Sequence, residues 1–288
     1  ADATLAGGME SMSNTPYMLP RARWGYRLGS DQVVDGMYRD GFHCPLADEL
    51  MGATAENLVD QYDIPREEQD AYAVRSQNRC EEARKRGRYD AEKVGIPLKD
   101  RKKGDWVFEA DEHARDGVTI EKIAKLPPVF RKEGGSVHAG NASGITDGAA
   151  AICVLSEKAV AEHGVKPQAK LLAYAEAGVE PRVMGIGPVP AVRKLLDSTG
   201  LSVDDIDLWE LNEAFAAQVL ACNRELKIPE DRMNVDGGAI ALGHPIGATG
   251  ARILVTLLHS MEERDVKRGI ATLCISGGLG LAALVERV

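Results

Sequence analysis

Three residues in the second half of this 288-residue chain combine reactive side chains with chain-turning surroundings: Asn212, His244 and Cys274. Asn212 lies in Trp209-Glu210-Leu211-Asn212-Glu213-Ala214-Phe215-Ala216, after an expected strand and before an expected helix. Such an Asn either caps the helix or offers its amide to a ligand at the carboxyl end of a strand, where open α/β sheets bind theirs. On this segment alone the cap is the favoured reading. His244 stands between Gly243 and Pro245, in a stretch that also holds Gly237, Gly238, Gly247 and Gly250. A lone histidine is usually structural. One embedded in backbone that can be approached so closely is better placed for proton transfer. Cys274 closes an expected strand and is followed by Ile275-Ser276-Gly277-Gly278-Leu279-Gly280. Free N–H groups of such a segment could stabilise an oxyanion, while the bland alternative is a buried apolar thiol.

A further glycine-rich segment is His138-Ala139-Gly140-Asn141-Ala142-Ser143-Gly144-Ile145-Thr146-Asp147-Gly148, whose backbone could cradle a ligand. Of the 30 glycines, 13 fall within 134–148, 237–250 and 277–280, so chemistry is expected at these windows. Cys44, Cys80, Cys153 and Cys222 read as buried apolar residues, and His43, His113, His163 and His259 as structural ones. His138 stays open between the two readings because of its neighbours.

Elements must hold these residues in place. A short strand is expected over 2–6, ending at Gly7-Gly8, and a helix over 52–62 from the spacing of Ala55, Leu58, Val59 and Tyr62. Pro65 suits the first turn of a second helix that ends at Gly87, with acidic residues at its start and basic ones at its end. Residues 94–126 read as strands and loops. The apolar run 149–155 reads as a strand buried on both faces. Strands over 169–177, 206–211 and 270–275 alternate with helices over 156–163, 190–199, 213–226 and 249–261, the pattern of an α/β domain. Residues 15–135 interrupt that pattern and read as an insertion.

Composition narrows the function. The net charge of −9 argues against a general nucleic-acid binder. Residues 65–105 nevertheless hold 12 Lys or Arg against 9 Asp or Glu, a balance that an anionic ligand could use. Five cysteines without close spacing give neither a disulfide framework nor a zinc pattern, and fit a reducing, cytoplasmic compartment. There is no apolar run long enough to span a membrane and no signal-peptide pattern at the start, so no membrane partner is expected. The chain begins without Met in what reads as a buried strand, which suggests a start in mid-protein.

Taken in order, these blocks resemble the thiolase family along the whole chain. Leu5-Ala6-Gly7-Gly8-Met9-Glu10-Ser11-Met12-Ser13 resembles the family's strand and turn beyond the nucleophile helix, and Gly140-Asn141-Ala142-Ser143-Gly144 its CoA-contacting loop. Asn212-Glu213-Ala214-Phe215, Gly243-His244-Pro245 and Cys274-Ile275-Ser276-Gly277-Gly278 resemble its three C-terminal catalytic blocks. The resemblance implies an α/β fold of two similar halves in stacked helix and sheet layers, with a CoA-clamping loop domain inserted in the first. That first half would be incomplete here: 1–14 and 136–166 its remnant, 15–135 the loop domain, 167–288 the second half. It implies an acetyl-CoA acetyltransferase or 3-ketoacyl-CoA thiolase, with coenzyme A thioesters as substrate, no further cofactor or metal, and a homodimer or homotetramer of fatty acid metabolism. His244 would activate a nucleophilic cysteine and Cys274 would act as acid and base. Asn212, with a water and His244, would hold one thioester oxygen, and the backbone N–H of Ser276 would serve a second oxyanion. Ala142, Ser143, Gly144, Met51, Met184 and Phe215 would contact the acyl-CoA.

The departures from the family pattern are specific. Its acylated cysteine lies upstream of the block at which this chain begins, so no residue here matches it, and the 288 residues alone are expected to turn over little or nothing. Ser276 stands where many members have Gly, Pro127 where many have an Arg for the CoA adenine, and Leu50 where biosynthetic members often have His. Two alternatives are an inactive CoA-binding or assembly fragment and an acyl hydrolase using Cys274 and His244.

Overall fold

β1 (Ala3–Glu10) is followed by two short hairpins, β2 (Tyr17–Met18) with β3 (Val34–Asp35) and β4 (His43–Cys44) with β5 (Glu49–Leu50). Helices α1 (Met51–Tyr62) and α2 (Arg66–Lys85) come next, then the hairpin β6 (Ile96–Asp100) and β7 (Gly104–Phe108), the single turn α3 (Ile120–Ile123) and strand β8 (Gly148–Leu155). The rest alternates: α4 (Glu157–His163), β9 (Ala169–Gly178), α5 (Pro188–Thr199), β10 (Leu208–Leu211), α6 (Ala216–Leu226), α7 (Ala239–Leu242), α8 (Ile246–Glu263), β11 (Arg268–Ile275) and β12 (Leu279–Arg287). The structure is a computed structural model and describes residues 1–102 and 104–288.

The second half is built on one mixed sheet in the order β10-β11-β12-β9. β10 and β11 run parallel, with Leu211 opposite Thr272, so Asn212 and Cys274 come off the carboxyl ends of adjacent strands. Alternation along β10 divides the core. Trp209 and Leu211 face a cluster with Val192, Leu195, Val219 and Cys222 of α5 and α6. Leu208, Ala271 and Val285 meet Ile253, Leu257 and Met261 of α8 on the other face. Helix α8 also packs on β1 and β8, so it lies between the four-stranded sheet and the antiparallel β1–β8 pair. The approach is close: a Cβ on Gly8 would collide with the Gly247 carbonyl oxygen.

Several expectations need correction. β1 runs on through Gly7-Gly8 to Glu10, because every residue of it pairs with β8. The 149–155 strand is not buried on both faces. It pairs with β1 alone among the described residues, and Ala149, Ala151, Cys153 and Val154 are exposed. Cys153 is therefore not a buried cysteine, whereas Cys44, Cys80 and Cys222 are. The 206–211 strand begins at Leu208, and the helix expected from 249 begins at Ile246, where Pro245 ends the preceding turn.

Candidate active site

Asn212 is 2% exposed and continues β10 by donating its N–H to the Thr272 carbonyl at 2.9 Å. It caps no helix. α6 starts only at Ala216, with extended Phe215 (φ −147°, ψ 144°) at the cap position. Tertiary pairing enforces this: Phe215 bridges Ala142, and the Ala216 N–H donates to the Asn141 carbonyl at 2.8 Å. The freed Asn212 side chain points at the histidine, with Nδ2 3.3 Å from His244 Nε2. Its Oδ1 is buried without a hydrogen-bond donor among the described residues, an acceptor suited to a water or ligand O–H.

His244 is fixed by its backbone and by its far nitrogen. Gly243 adopts φ +96°, and a Cβ there would strike the Thr146 side chain. The His244 N–H donates to the Gly144 carbonyl at 3.0 Å. Nδ1 lies 2.7 Å from Thr249 Oγ1, and that hydroxyl donates to the Pro245 carbonyl at 2.9 Å. A hydroxyl has one proton. With it spent on Pro245, Thr249 accepts from Nδ1–H, and Nε2 keeps its lone pair beside Asn212. Burial, reinforced by the Arg252 charge, pushes the imidazole pKa down to about 4. The ring is thus a neutral base at neutral pH.

Cys274 is 8% exposed and packs with Met184 and Ala214, against the partly buried Met51 and Phe215. Burial pushes its thiol pKa up to about 12, so it is a proton donor before it is a nucleophile. Ser276 is exposed at the start of a turn in which Gly277 and Gly278 have φ near +87° and +86°. The β4–β5 hairpin covers this turn. Cys44 is raised by burial, but the N–H groups of Ala47, Leu46 and Gly277 and the Ser276 hydroxyl bring its thiol net below the ordinary value.

The 142–144 loop is seated on both neighbours, since the Ser143 N–H donates to the Ala214 carbonyl at 3.0 Å while Gly144 receives the His244 N–H. Asn212, His244, Cys274, Ser143, Gly144, Ala142, Phe215, Met51 and Met184 therefore form one connected region, with Ser276 on the turn beyond Cys274. Leu50 leads into α1 partly buried, and exposed Pro127 follows the Leu126 carbonyl, which accepts from Arg66 at 2.6 Å.

Four contributors escaped the sequence reading or were misread. Thr249 sets the tautomer, and its signal was its place in the first turn after His244. Glu213 is fully buried and accepts from Tyr72 Oη at 2.8 Å, Ser76 Oγ at 2.6 Å, Asn234 Nδ2 at 3.1 Å and the Ile240 N–H at 3.1 Å. It ties the Asn212 segment to α2, and nothing local marks it. His113 is closer to the site than expected, since a Cβ on Gly144 would strike its ring. Arg252 acts on His244 from one helical turn beyond Thr249. Among the described residues no group of three His, Cys, Asp or Glu is arranged to hold a metal ion.

Comparison with known proteins bears directly on this arrangement. The thiolase N-terminal domain model matches residues 1–158, and the thiolase C-terminal domain model residues 165–287. The chain belongs to the thiolase family. It is similar to the acetyl-CoA acetyltransferase of Syntrophomonas wolfei, 53% identical over 99% of this chain and 72% of that protein. It is likewise similar to the acetyl-CoA acetyltransferase of Allochromatium vinosum, 50% identical over 100% and 73%. The thiolase fold is shared with the Bacillus anthracis acetyl-CoA acetyltransferase at TM-score 0.96 and 46% identity, covering 100% of this chain and 72% of that one. Human mitochondrial 3-ketoacyl-CoA thiolase in complex with CoA superposes at TM-score 0.93 and 43% identity, covering 100% and 71%. The sequence motifs thus carried the family and the α/β fold correctly.

Proposed function

We propose that this thiolase moves acyl groups between coenzyme A thioesters, either joining two acetyl-CoA molecules or cleaving a 3-ketoacyl-CoA with CoA. The observation that carries the reading is the pairing of Asn212 with a His244 whose Nε2 is unprotonated, beside a buried protonated Cys274 at the ends of parallel strands. Thiolysis needs these groups. A cysteine thiolate adds to the 3-keto carbon, the bond to the α-carbon breaks, and its electron pair becomes an acetyl-CoA enolate. His244 Nε2 takes the proton of that attacking thiol. Cys274 gives its proton to the α-carbon, then recovers one from the incoming CoA thiol, whose sulfur bonds to the acyl carbon and displaces the cysteine, which regains its proton from His244. The acylated cysteine is the family's, upstream of Ala6-Gly7-Gly8-Met9, and has no counterpart within 1–288. Enolate charge is what the site must stabilise. The orphaned Asn212 Oδ1 supports a water there that shares the thioester oxygen with His244.

The same reading assigns Met51, Met184 and Phe215 to the acyl group, Ala142, Ser143 and Gly144 to the CoA arm, and the Ser276 N–H to the second oxyanion. It takes coenzyme A only as substrate, with no resident cofactor. Apolar side chains exposed on β9, such as Leu171 and Tyr174, support a homo-oligomer. Free cysteines support a cytoplasmic setting, and turnover of 3-ketoacyl-CoA supports a role in fatty acid metabolism. No helix among the described residues is long and apolar enough to cross a membrane. The experiment is a thiolysis assay on the protein as it is made in its cell, with acetoacetyl-CoA and CoA. Two acetyl-CoA formed per acetoacetyl-CoA consumed supports the reading. Consumption that does not depend on CoA contradicts it.

A further inference from the structure

His138, left open by its sequence context, is fully buried and makes two opposed hydrogen bonds. Its Nδ1 accepts the Gly140 N–H at 3.0 Å, and its Nε2 lies 2.8 Å from Asp70 Oδ1 on α2. A ring nitrogen that accepts carries no proton, so Nε2–H is the donor to Asp70. Asp70 Oδ1 also accepts from Asn141 Nδ2 at 3.0 Å, while Asn141 Oδ1 accepts the His138 N–H at 2.8 Å. Burial pushes the Asp70 carboxyl up, but the bonds from His138 and Asn141 and the Arg66 charge bring it net below its ordinary value. A carboxylate, an imidazole and an amide so closed on one another fold residues 138–141 into a single shape. The residues that follow then meet the two sides of the site. Asn141 O receives the Ala216 N–H, the Ser143 N–H reaches Ala214 O, and Gly144 O receives the His244 N–H.

We propose that the His138–Asp70 pair is a positioning latch: it holds the 140–144 backbone in the conformation that binds acyl-CoA, and so governs substrate affinity rather than the chemical step. This rests on the assignment of Ala142, Ser143 and Gly144 to the CoA arm. The reason for an affinity effect is population. If only a fraction of molecules holds the competent loop, apparent affinity falls by that fraction. The loop's remaining bonds to Ala214 and Ala216 are backbone bonds and survive a change at His138, so the reacting groups stay in place when substrate is bound.

The test uses His138→Leu, which fills similar space without bonding, and His138→Gln, whose amide nitrogen can still donate to Asp70. His138→Thr is a smaller polar replacement that cannot reach Asp70 and stands in should the Leu variant fail to fold. We expect KM for acetoacetyl-CoA to rise about tenfold in the Leu or Thr variant, the worth of one buried hydrogen bond, with kcat within about twofold of wild type. His138→Gln restores most of the affinity. An unchanged KM in the Leu and Thr variants overturns the latch, as does a loss confined to kcat. Calorimetric titration with CoA reads the latch apart from turnover: a tenfold weaker Kd in the Leu variant supports it even if wild type performs no thiolysis, and an equal Kd overturns it even if wild type is active.

Discussion

Thr249 Oγ1 accepts a hydrogen bond from His244 Nδ1–H at 2.7 Å because its own proton is committed to the Pro245 carbonyl. One hydroxyl on the first turn of α8 thus decides which imidazole nitrogen is basic, and Nε2 is left facing Asn212. Replacing it by an isosteric group that cannot accept should free the ring to rotate and exchange tautomers. Thr249→Val is expected to lower kcat/KM for thiolysis about tenfold, the value of one such bond, and Thr249→Ser to recover it. Equal kcat/KM in the Val variant and wild type would remove Thr249 from the mechanism.

The depressed imidazole pKa has a stability consequence with a definite sign. His244 titrates at about 4 when folded and at its ordinary 6.5 when unfolded. Between those values the unfolded chain binds the extra proton, so stability falls as pH drops through the window. Urea unfolding at the two ends of the window should show His244→Asn losing less stability than wild type, by up to about 3 kcal/mol for a shift of this size. An identical loss in both proteins would contradict a desolvated, neutral ring.

Cys274 is held as a thiol by its apolar surroundings of Met184, Ala214, Met51 and Phe215. Cys274→Ala keeps the packing nearly intact and removes the transferable proton. The expected outcome is a fall in kcat of about 10² to 10⁴, the range for a positioned acid–base group, with KM little changed. Steady-state kinetics decides it, and a rise in KM with kcat unchanged would make Cys274 a packing residue.

Glu213 faces four donors at once, two from side chains of α2. Glu213→Gln turns one of its oxygens into a donor that must face another donor. Stability should fall by about 1–3 kcal/mol, the cost of a buried unsatisfied polar group, read as a lower urea midpoint. A midpoint equal to wild type would mean the hub has no net stabilising role.

Much of this was legible from local pattern. The apolar stripe of α1 placed it within a residue of its observed ends, Pro65, Gly87 and the end charges placed α2 within two, and the glycine windows lie around Ser143, His244 and Cys274. What escaped depends on partners distant in sequence. Asn212 read as a cap because Asn before an apolar run usually is one, yet the Phe215 bridge to Ala142, over seventy residues away, delays the helix to Ala216. The 149–155 run read as buried on both faces because apolarity reports a preference, whereas burial depends on neighbours: here β1 on one edge and α8 on one face. Glu213 carries no local signal, and the glycine-rich neighbours of His138 leave its role open, since both are defined by α2 side chains that only the fold brings near.

His244 and Cys274 work as one unit on a CoA thioester. Non-additivity tests it directly, because residues that share a step cannot each be lost twice. Thiolysis of acetoacetyl-CoA would be measured for wild type, His244→Asn, Cys274→Ala and the double variant, each in the protein as it is made in its cell. We expect CoA-dependent cleavage by wild type, losses of about 10² or more in each single variant, and a double variant scarcely worse than the poorer single one. Losses that multiply in the double variant, or a wild type that cleaves without CoA, would contradict it.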